Sequence, residues 1–385
     1  GGRGAIMTEP GRAVVGTLAE EVTARVTEAM EMHGVDALVA TSSENVAYVS
    51  GAAPPSQKTV RSRLAAAIVP RAAESELVAV SLERPVVEAQ SRLDSIRLYR
   101  EFVEEPVDVI ASSLREHGLG EGTIGVEETH LPVATYRRLA AALPAARLVR
   151  SDEVLSEIRT RKTPAEIDAI RDIGSAAERI ALECCESFGA GATERELANF
   201  IADRYAQAGG DGLTMLVVGS GPRSAAVNAP PTDRVLRRGD IVRLDIIGTK
   251  GHYHSDVART AVVGEPSREQ RRVYDLLRDV HDRSLAALRP GVLTSDVYGI
   301  YRERMERVGL PPYHFVGHGL GITLHEDPFI NGLGSTALEE GMVLCIEPLA
   351  LLDGRYGMQL EDEILITSDG YDAFSRVDDL LQIAS

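Results

Sequence analysis

LDIIGTKGHYHSDVARTAVVGEPS, residues 244–267, is the stretch that decides the fold. VRLDIIG (242–248) and HYHSDVARTAVV (252–263) are rich in β-branched and apolar residues and flank Thr249-Lys250-Gly251, the pattern of a β-hairpin. A two-residue turn at Lys250-Gly251 sets Asp245 opposite Asp256 on neighbouring strands. Like charges directly opposite are destabilising, so such a pair calls for a compensating cation. The anomaly recurs further along. VLCIEPLALL (343–352) and YGMQLEDEILIT (356–367) flank Asp353-Gly354-Arg355, and a loop centred on Gly354 sets Glu347 opposite Glu361. Asp245 and Glu347 are 102 residues apart, Asp256 and Glu361 105.

Helix signals carry the same spacing. Thr163-Pro164-Ala165-Glu166 is a capping box with Pro at the first helical position, opening a helix to about Phe188. Thr193 to Glu196 opens a second helix, ending near Gly209. Ser267 to Gln270 opens a third, ending before Pro290 and Gly291, and Thr294 begins a fourth that stops near Gly309. The starts are displaced by 104 residues (163 to 267) and 101 residues (193 to 294). Helices and hairpins therefore share one order and one offset, as two copies of a single α+β half give.

Upstream, Leu18, Val22, Val26, Ala29 and Met30 form one face of a helix from Thr17 to His33, capped by Gly34. DALVAT (36–41), RLAAAIVP (63–70), ELVAV (76–80) and TIGVE (123–127) read as short buried strands between helical or loop segments. This predicts an α/β domain over 7–155, without a GxGxxG or P-loop pattern, followed by the repeat-bearing domain over 156–385. GGRGAI (1–6), ahead of Met7, reads as a cloning scar.

A chain of 385 residues suits two or three domains at ~150 residues each. Lys and Arg number 41 against 58 Asp and Glu, a formal charge of −17 that opposes binding to nucleic acid and to anionic membrane surfaces. No apolar run approaches the ~18 residues of a spanning helix. Three cysteines without a CxxC pair favour a reducing, cytoplasmic setting. Cys184 and Cys185 read as helix packing, and Cys345 as a small core residue on the strand face of Glu347. Arg268, Arg271 and Arg272 read as a solvated helix face.

Each of the four acids sits within apolar surroundings, as in RLDII, CIEP and QLEDE, where an unpaired buried carboxylate costs several kcal/mol or stays protonated. Between them, HFVGHGLGITLHEDP (314–328) supplies His314, His318 and His325 in a Gly-rich segment. A lone strand acid is usually solvated or ion-paired, and a lone His usually structural. Four convergent carboxylates with an imidazole argue instead for divalent metal, Mn²⁺ first, then Co²⁺, Fe²⁺ or Zn²⁺. Two ions sharing bridging carboxylates explain the number of acids.

LDIIGTKGHYHSDVARTAVVGEPS, GHGLGITLHEDP, GMVLCIEPLALL and LEDEILIT together resemble the pita-bread metallopeptidases, the family of Xaa-Pro dipeptidase, aminopeptidase P, methionine aminopeptidase and creatinase. The match covers about 155–380, and HGVDALVATSSENVAYVSGA is similar to the smaller domain of the prolidase and creatinase branch. The resemblance implies a creatinase/prolidase-like α/β N-terminal domain and an α+β pita-bread catalytic domain with an internal pseudo-twofold repeat. It implies that Asp245, Asp256, His318, Glu347 and Glu361 ligate two metal ions, Asp256 and Glu361 bridging them. A metal-bridging hydroxide would attack the scissile carbonyl, Glu347 would relay the proton, and His325 would hydrogen-bond the substrate or the developing oxyanion. His314 would line the leaving-group side, and a homodimer is expected.

Two positions depart from the family. Asn228 stands after SGP (220–222) where peptidases usually carry His, and Gln359 in GMQLED replaces a usual Arg. Neither amide carries charge. The expectation is a dinuclear hydrolase resembling Xaa-Pro dipeptidase or aminopeptidase P, cleaving the amide before proline or a proline-like ring in a small peptide. The alternative is a non-peptidase of the same fold acting on a small polar metabolite: a creatinase-like or ectoine-hydrolase-like amidohydrolase, or a lyase.

Overall fold

A computed structural model of the protein describes residues 22, 24–376 and 379–385. The chain divides into two compact units, up to Arg159 and from Thr160 onward. The expectation for residues 1–6, and the start of the helix predicted from Thr17, lie outside the described residues; 24–33 is helical.

The first unit holds a six-stranded mixed sheet: β1 (Ala37–Ala40), β2 (Ala66–Pro70), β3 (Glu76–Val80), β4 (Ser95–Tyr99), β5 (Thr123–Val126) and β6 (Arg147–Arg150), ordered β4-β3-β2-β1-β5-β6. The four strands expected from sequence are the inner ones, whose side chains are almost wholly buried. The two unexpected strands, SIRLY and RLVR, are the edges. An edge strand packs fewer neighbours and tolerates arginines, so it lacks the apolar run that betrays a central parallel strand.

The second unit opens with the helices Pro164–Ser187 and Glu194–Gln207, both starting in capping boxes made as expected by Thr163 with Glu166 and Thr193 with Glu196. Three strands follow: β7 (Gly212–Ser220), β8 (Ile241–Lys250) and β9 (Tyr253–Val263). The cycle then repeats. The helices Arg268–Ala287 and Thr294–Arg307 precede β10 (Phe315–Gly319), β11 (Glu326–Asn331), β12 (Val343–Ile346), β13 (Leu349–Leu352), β14 (Tyr356–Gln359), β15 (Asp362–Ile366), β16 (Tyr371–Ala373) and β17 (Leu381–Ile383). The sheets run β17-β9-β8-β7, β11-β10-β12-β15-β16 and β13-β14. Cys184 and Cys185 pack with Ile180, Leu244 and Val257 in the core under the first sheet, and Leu277, Tyr301, Leu344 and Ile364 belong to the core under the second.

Two details of the hairpins differ from the sequence reading. The first turn is Gly251-His252, with Lys250 opposite Tyr253, and both turn residues have positive φ, 57° and 76°. That is the backbone a two-residue hairpin turn of matching twist requires. The shift places Asp256 opposite Ile247 and Asp245 opposite Ala258, so the aspartates are diagonal neighbours on one face and not directly opposed. The second hairpin keeps the predicted register, Leu349 opposite Gln359 and Ile346 opposite Asp362, but breaks in the middle. Pro348 has no N–H to continue the ladder. Leu349–Leu352 pairs in a separate ribbon while Val343–Ile346 pairs in the five-stranded sheet.

Candidate metal centre

The break in the second hairpin positions two of the acids. Glu347 donates its backbone N–H to the Val316 carbonyl at 2.8 Å, and Glu361 donates its own to the Ala258 carbonyl at 3.2 Å. Glu347 is thus pinned to the strand that carries His318, and Glu361 to the residue paired with Asp245. Asp245, Asp256, His318, Glu347 and Glu361 are all buried, none more than 7% exposed. Asp256, His318 and Glu361, with the Cys345 thiol, present ligand atoms within 4.8 Å of one another. His318 Nε2 lies 3.3 Å from Glu347 Oε1 and 3.7 Å from Asp256 Oδ2. Arg243 lies 3.8 Å from Asp245. The set picked from sequence is brought together.

The electrostatics are strained without a cation. Burial, opposed by Arg243, pushes Asp245 up to about 6. Burial, aggravated by the neighbouring carboxylates, raises Asp256 and Glu361 well above the usual carboxylate range. Each of the four acids keeps one buried oxygen without a hydrogen-bond partner: Asp245 Oδ1, Asp256 Oδ1, Glu347 Oε1 and Glu361 Oε1. His318 Nδ1 lies 2.9 Å from the Gly319 carbonyl; a proton held there leaves Nε2 as a lone pair facing carboxylate oxygens. Acceptors facing acceptors in a dry site are unfavourable unless a cation lies among them. The donor set, mostly hard oxygens with one imidazole, fits divalent metal.

Behind these residues stands a layer that sequence reading largely missed. Gln359, expected on the substrate side, is 2% exposed and its amide is engaged at both ends. Its Nε2 donates to Glu347 at 3.3 Å and to Glu361 at 3.1 Å, while Arg243 Nη1 donates to its Oε1 at 2.6 Å. Glu363 Oε1 accepts the Asp256 N–H at 2.7 Å. Lys162 and Glu326 form a buried ion pair at 3.0 Å, and Glu326 also accepts the Thr323 N–H at 2.9 Å, bracing the loop before His325. A charged residue in an apolar strand, two before a candidate ligand and so on its face, was the signal available for Arg243.

The remaining predicted residues lie further out. The His325 ring stacks on His318 with centroids 3.9 Å apart, and partial desolvation with that neighbour lowers its pKa to about 4. His314 is exposed, its ring 5.4 Å from that of Tyr313. Asn228 is exposed in the turn after the short 3₁₀ helix Gly221–Ala225. Cys345 is fully buried, as a core residue should be, yet it stands opposite His318 across β10 and β12, with its thiol 3.9 Å from the Asp256 carbonyl.

Comparison with known proteins agrees with this geometry. Residues 168–368 match metallopeptidase family M24, and residues 23–161 match the creatinase/prolidase N-terminal domain. The chain is 32% identical to the probable dipeptidase PepE of Mycobacterium tuberculosis over 343 residues, 88% of this chain and 89% of that one. It is 28% identical to the Xaa-Pro dipeptidase of Pyrococcus furiosus over 344 residues, 89% and 93% of the two chains. The crystal structure of dipeptidase PepE from Mycobacterium ulcerans superposes with a TM-score of 0.84 at 28% identity, covering 96% of this chain and 99% of that one. The prolidase of Pyrococcus horikoshii gives 0.83 at 26%, covering 94% and 99%. Family matches over both parts of the chain, relatives matched over most of their length and a buried acid–imidazole cluster lead to one conclusion: the chain belongs to metallopeptidase family M24 and is an enzyme similar to dipeptidases that include an Xaa-Pro dipeptidase.

Proposed function

We propose that the protein hydrolyses the amide bond before proline, or a proline-like ring, in small peptides, with two divalent ions, Mn²⁺ foremost, held by Asp245, Asp256, His318, Glu347 and Glu361. The observation that carries this reading is the set of four buried carboxylates, each with an unpartnered oxygen, around the free face of one imidazole. The names of the curated relatives supply the substrate class.

Bound divalent ions supply Lewis acidity, polarising the scissile carbonyl and lowering the pKa of water. The chain's own groups do the rest. Glu347, its Oε2 held by the Gln359 N–H at 3.3 Å, takes a proton from the attacking water and passes it toward the leaving nitrogen. His325, neutral over the working pH range, donates a hydrogen bond to the substrate carbonyl oxygen as charge develops there. His314, exposed, contacts the leaving side, and Asn228 offers an amide where a charged or proton-shuttling group is absent. The three free cysteines, all buried, support a cytoplasmic setting. A homodimer follows from the resemblance and is checked by sedimentation.

The test is Mn²⁺-loaded protein on a panel of Xaa-Pro dipeptides and tripeptides beside cyclic amidines and creatine-like compounds. Cleavage of a prolyl peptide supports the reading, and failure on every one rejects it. Asn228 alone favours the second reading, a non-peptidase amidohydrolase or lyase of the same fold, because it removes a substrate-side helper. On the leading reading Asn228→His raises kcat/KM for prolyl peptides, and no gain counts against the part given to that position.

A further inference from the structure

Arg243 has no exposed surface, and it is among the largest side chains so buried in the described residues. A guanidinium so buried must find partners for its donors, and here they are the carbonyls of Ser224 (3.1 Å), Ala226 and Val227, and the Gln359 side-chain oxygen at 2.6 Å. Its charge faces Asp245 at 3.8 Å, and the charges of Glu361 and Glu347 also act on it. Arg243 stands directly opposite Thr260 in the β8–β9 ladder. The Thr260 hydroxyl donates to the Gln359 carbonyl at 2.8 Å and accepts the Gln359 N–H at 3.0 Å. One cross-strand pair therefore clamps Gln359 twice, Thr260 by its backbone and Arg243 by its side chain.

The clamp has a direction. A carboxamide that can flip presents either oxygen or NH₂ to its surroundings, and oxygen turned toward Glu347 and Glu361 repels both. Arg243 holds the amide oxygen on its own side, so the NH₂ faces the two glutamates. The same guanidinium ties down residues 224–227, the segment that leads to Asn228.

We infer that Arg243 and Gln359 act as one positioning unit for the metal centre: Gln359 delivers two N–H bonds to Glu347 and Glu361, and Arg243 orients that amide and supplies the fixed positive charge. Gln359 is then no loss of charge at the site but one half of a divided function, with the cation moved to the neighbouring strand. This rests on the metal-centre reading above, and only Arg243's part in it is new.

The experiment is Mn²⁺ titration calorimetry on the metal-stripped full-length chain, with prolyl-peptide kinetics in parallel. Arg243→Leu releases the Gln359 amide and weakens Mn²⁺ binding about tenfold, within the usual range for residues supporting a ligand shell. Gln359→Arg puts two guanidiniums into one buried pocket and also weakens binding at least about tenfold. The double variant R243L/Q359R restores one cation able to reach the same glutamates, and its Kd returns to within about threefold of the parent, a non-additivity that a merely structural role does not produce. Two results overturn the inference: R243L binding Mn²⁺ as tightly as the parent, or the double variant no better than Q359R. If R243L does not fold, Arg243→Lys keeps the charge without the fork that grips Gln359 and the loop carbonyls together; weakened binding supports the inference and parent-like binding overturns it. Parent protein that binds no Mn²⁺ refutes the metal reading itself. Parent protein that binds Mn²⁺ but cleaves no prolyl peptide refutes the substrate class and leaves the calorimetric test of Arg243 intact.

Discussion

Gly174 lies inside the helix Pro164–Ser187, where helix propensity alone makes Gly→Ala stabilising by about 0.8–1 kcal/mol. The tertiary structure reverses the sign. A Cβ at this position overlaps Glu363 Oε2 and stands 2.6 Å from Glu363 Cδ. Glu363 is fully buried, and its other oxygen holds the Asp256 N–H at 2.7 Å. Overpacking costs about 1–3 kcal/mol, and breaking the buried Asp256 hydrogen bond another 1–3 or so. Set against the propensity gain, Gly174→Ala loses roughly 3 kcal/mol, a fall in Tm of about 6–12 °C for a domain of some 200 residues. Melting of the apo and Mn²⁺-loaded protein is followed by far-UV circular dichroism, since the chain has no Trp. Mn²⁺ affinity falls in the same variant, because Asp256 loses its backbone anchor. Gly174→Ala combined with Glu363→Ala is less destabilised than the two singles summed, since the new methyl enters the vacated space. A Gly174→Ala protein that melts at or above the parent, as propensity alone predicts, refutes the reasoning.

Other outcomes follow from the same contacts. Lys162→Met leaves the charge of Glu326, only 2% exposed at its side chain, without its cation and costs about 3–5 kcal/mol in urea unfolding; adding Glu326→Gln recovers most of it, and a loss under about 1 kcal/mol from Lys162→Met alone contradicts the buried pair. His252 holds φ 76° in the Gly251-His252 turn, so His252→Asn, better suited to the left-handed region, gains about 0.5 kcal/mol by thermal melting; a loss speaks against the turn. On the proposed reading chelation lowers Tm by removing the cation that offsets four crowded carboxylates, and Mn²⁺ at a hundredfold excess over Kd raises it again, adding about 2.7 kcal/mol to the folding free energy. A Tm indifferent to chelator and Mn²⁺ alike means that the cluster holds no ion.

The five candidate ligands stood out because each is a chemical anomaly in its own segment: acids in apolar surroundings, repeated at a common offset, and a histidine among glycines. The capping boxes were legible because their bonds lie within four consecutive residues. The Gly251-His252 register was not, since the candidate turns differ by one position and only the two positive φ values separate them. Glu363 and Lys162 were not either, as nothing local shows that one meets a helix glycine and the other a loop more than 150 residues away.

Composition, periodicity and ligand chemistry in the sequence thus determined the two-domain α/β and α+β architecture, the pseudo-repeat and the five candidate ligands. Only the tertiary structure decided how Gln359 is used. Read as a string, it is a neutral amide in place of a cation; in the fold, Arg243 on a strand more than a hundred residues earlier holds its oxygen and turns its NH₂ toward Glu347 and Glu361. The reason is physical. A side chain's charge and donor count belong to the residue, but the direction in which an amide points is set by whichever buried group meets its far end.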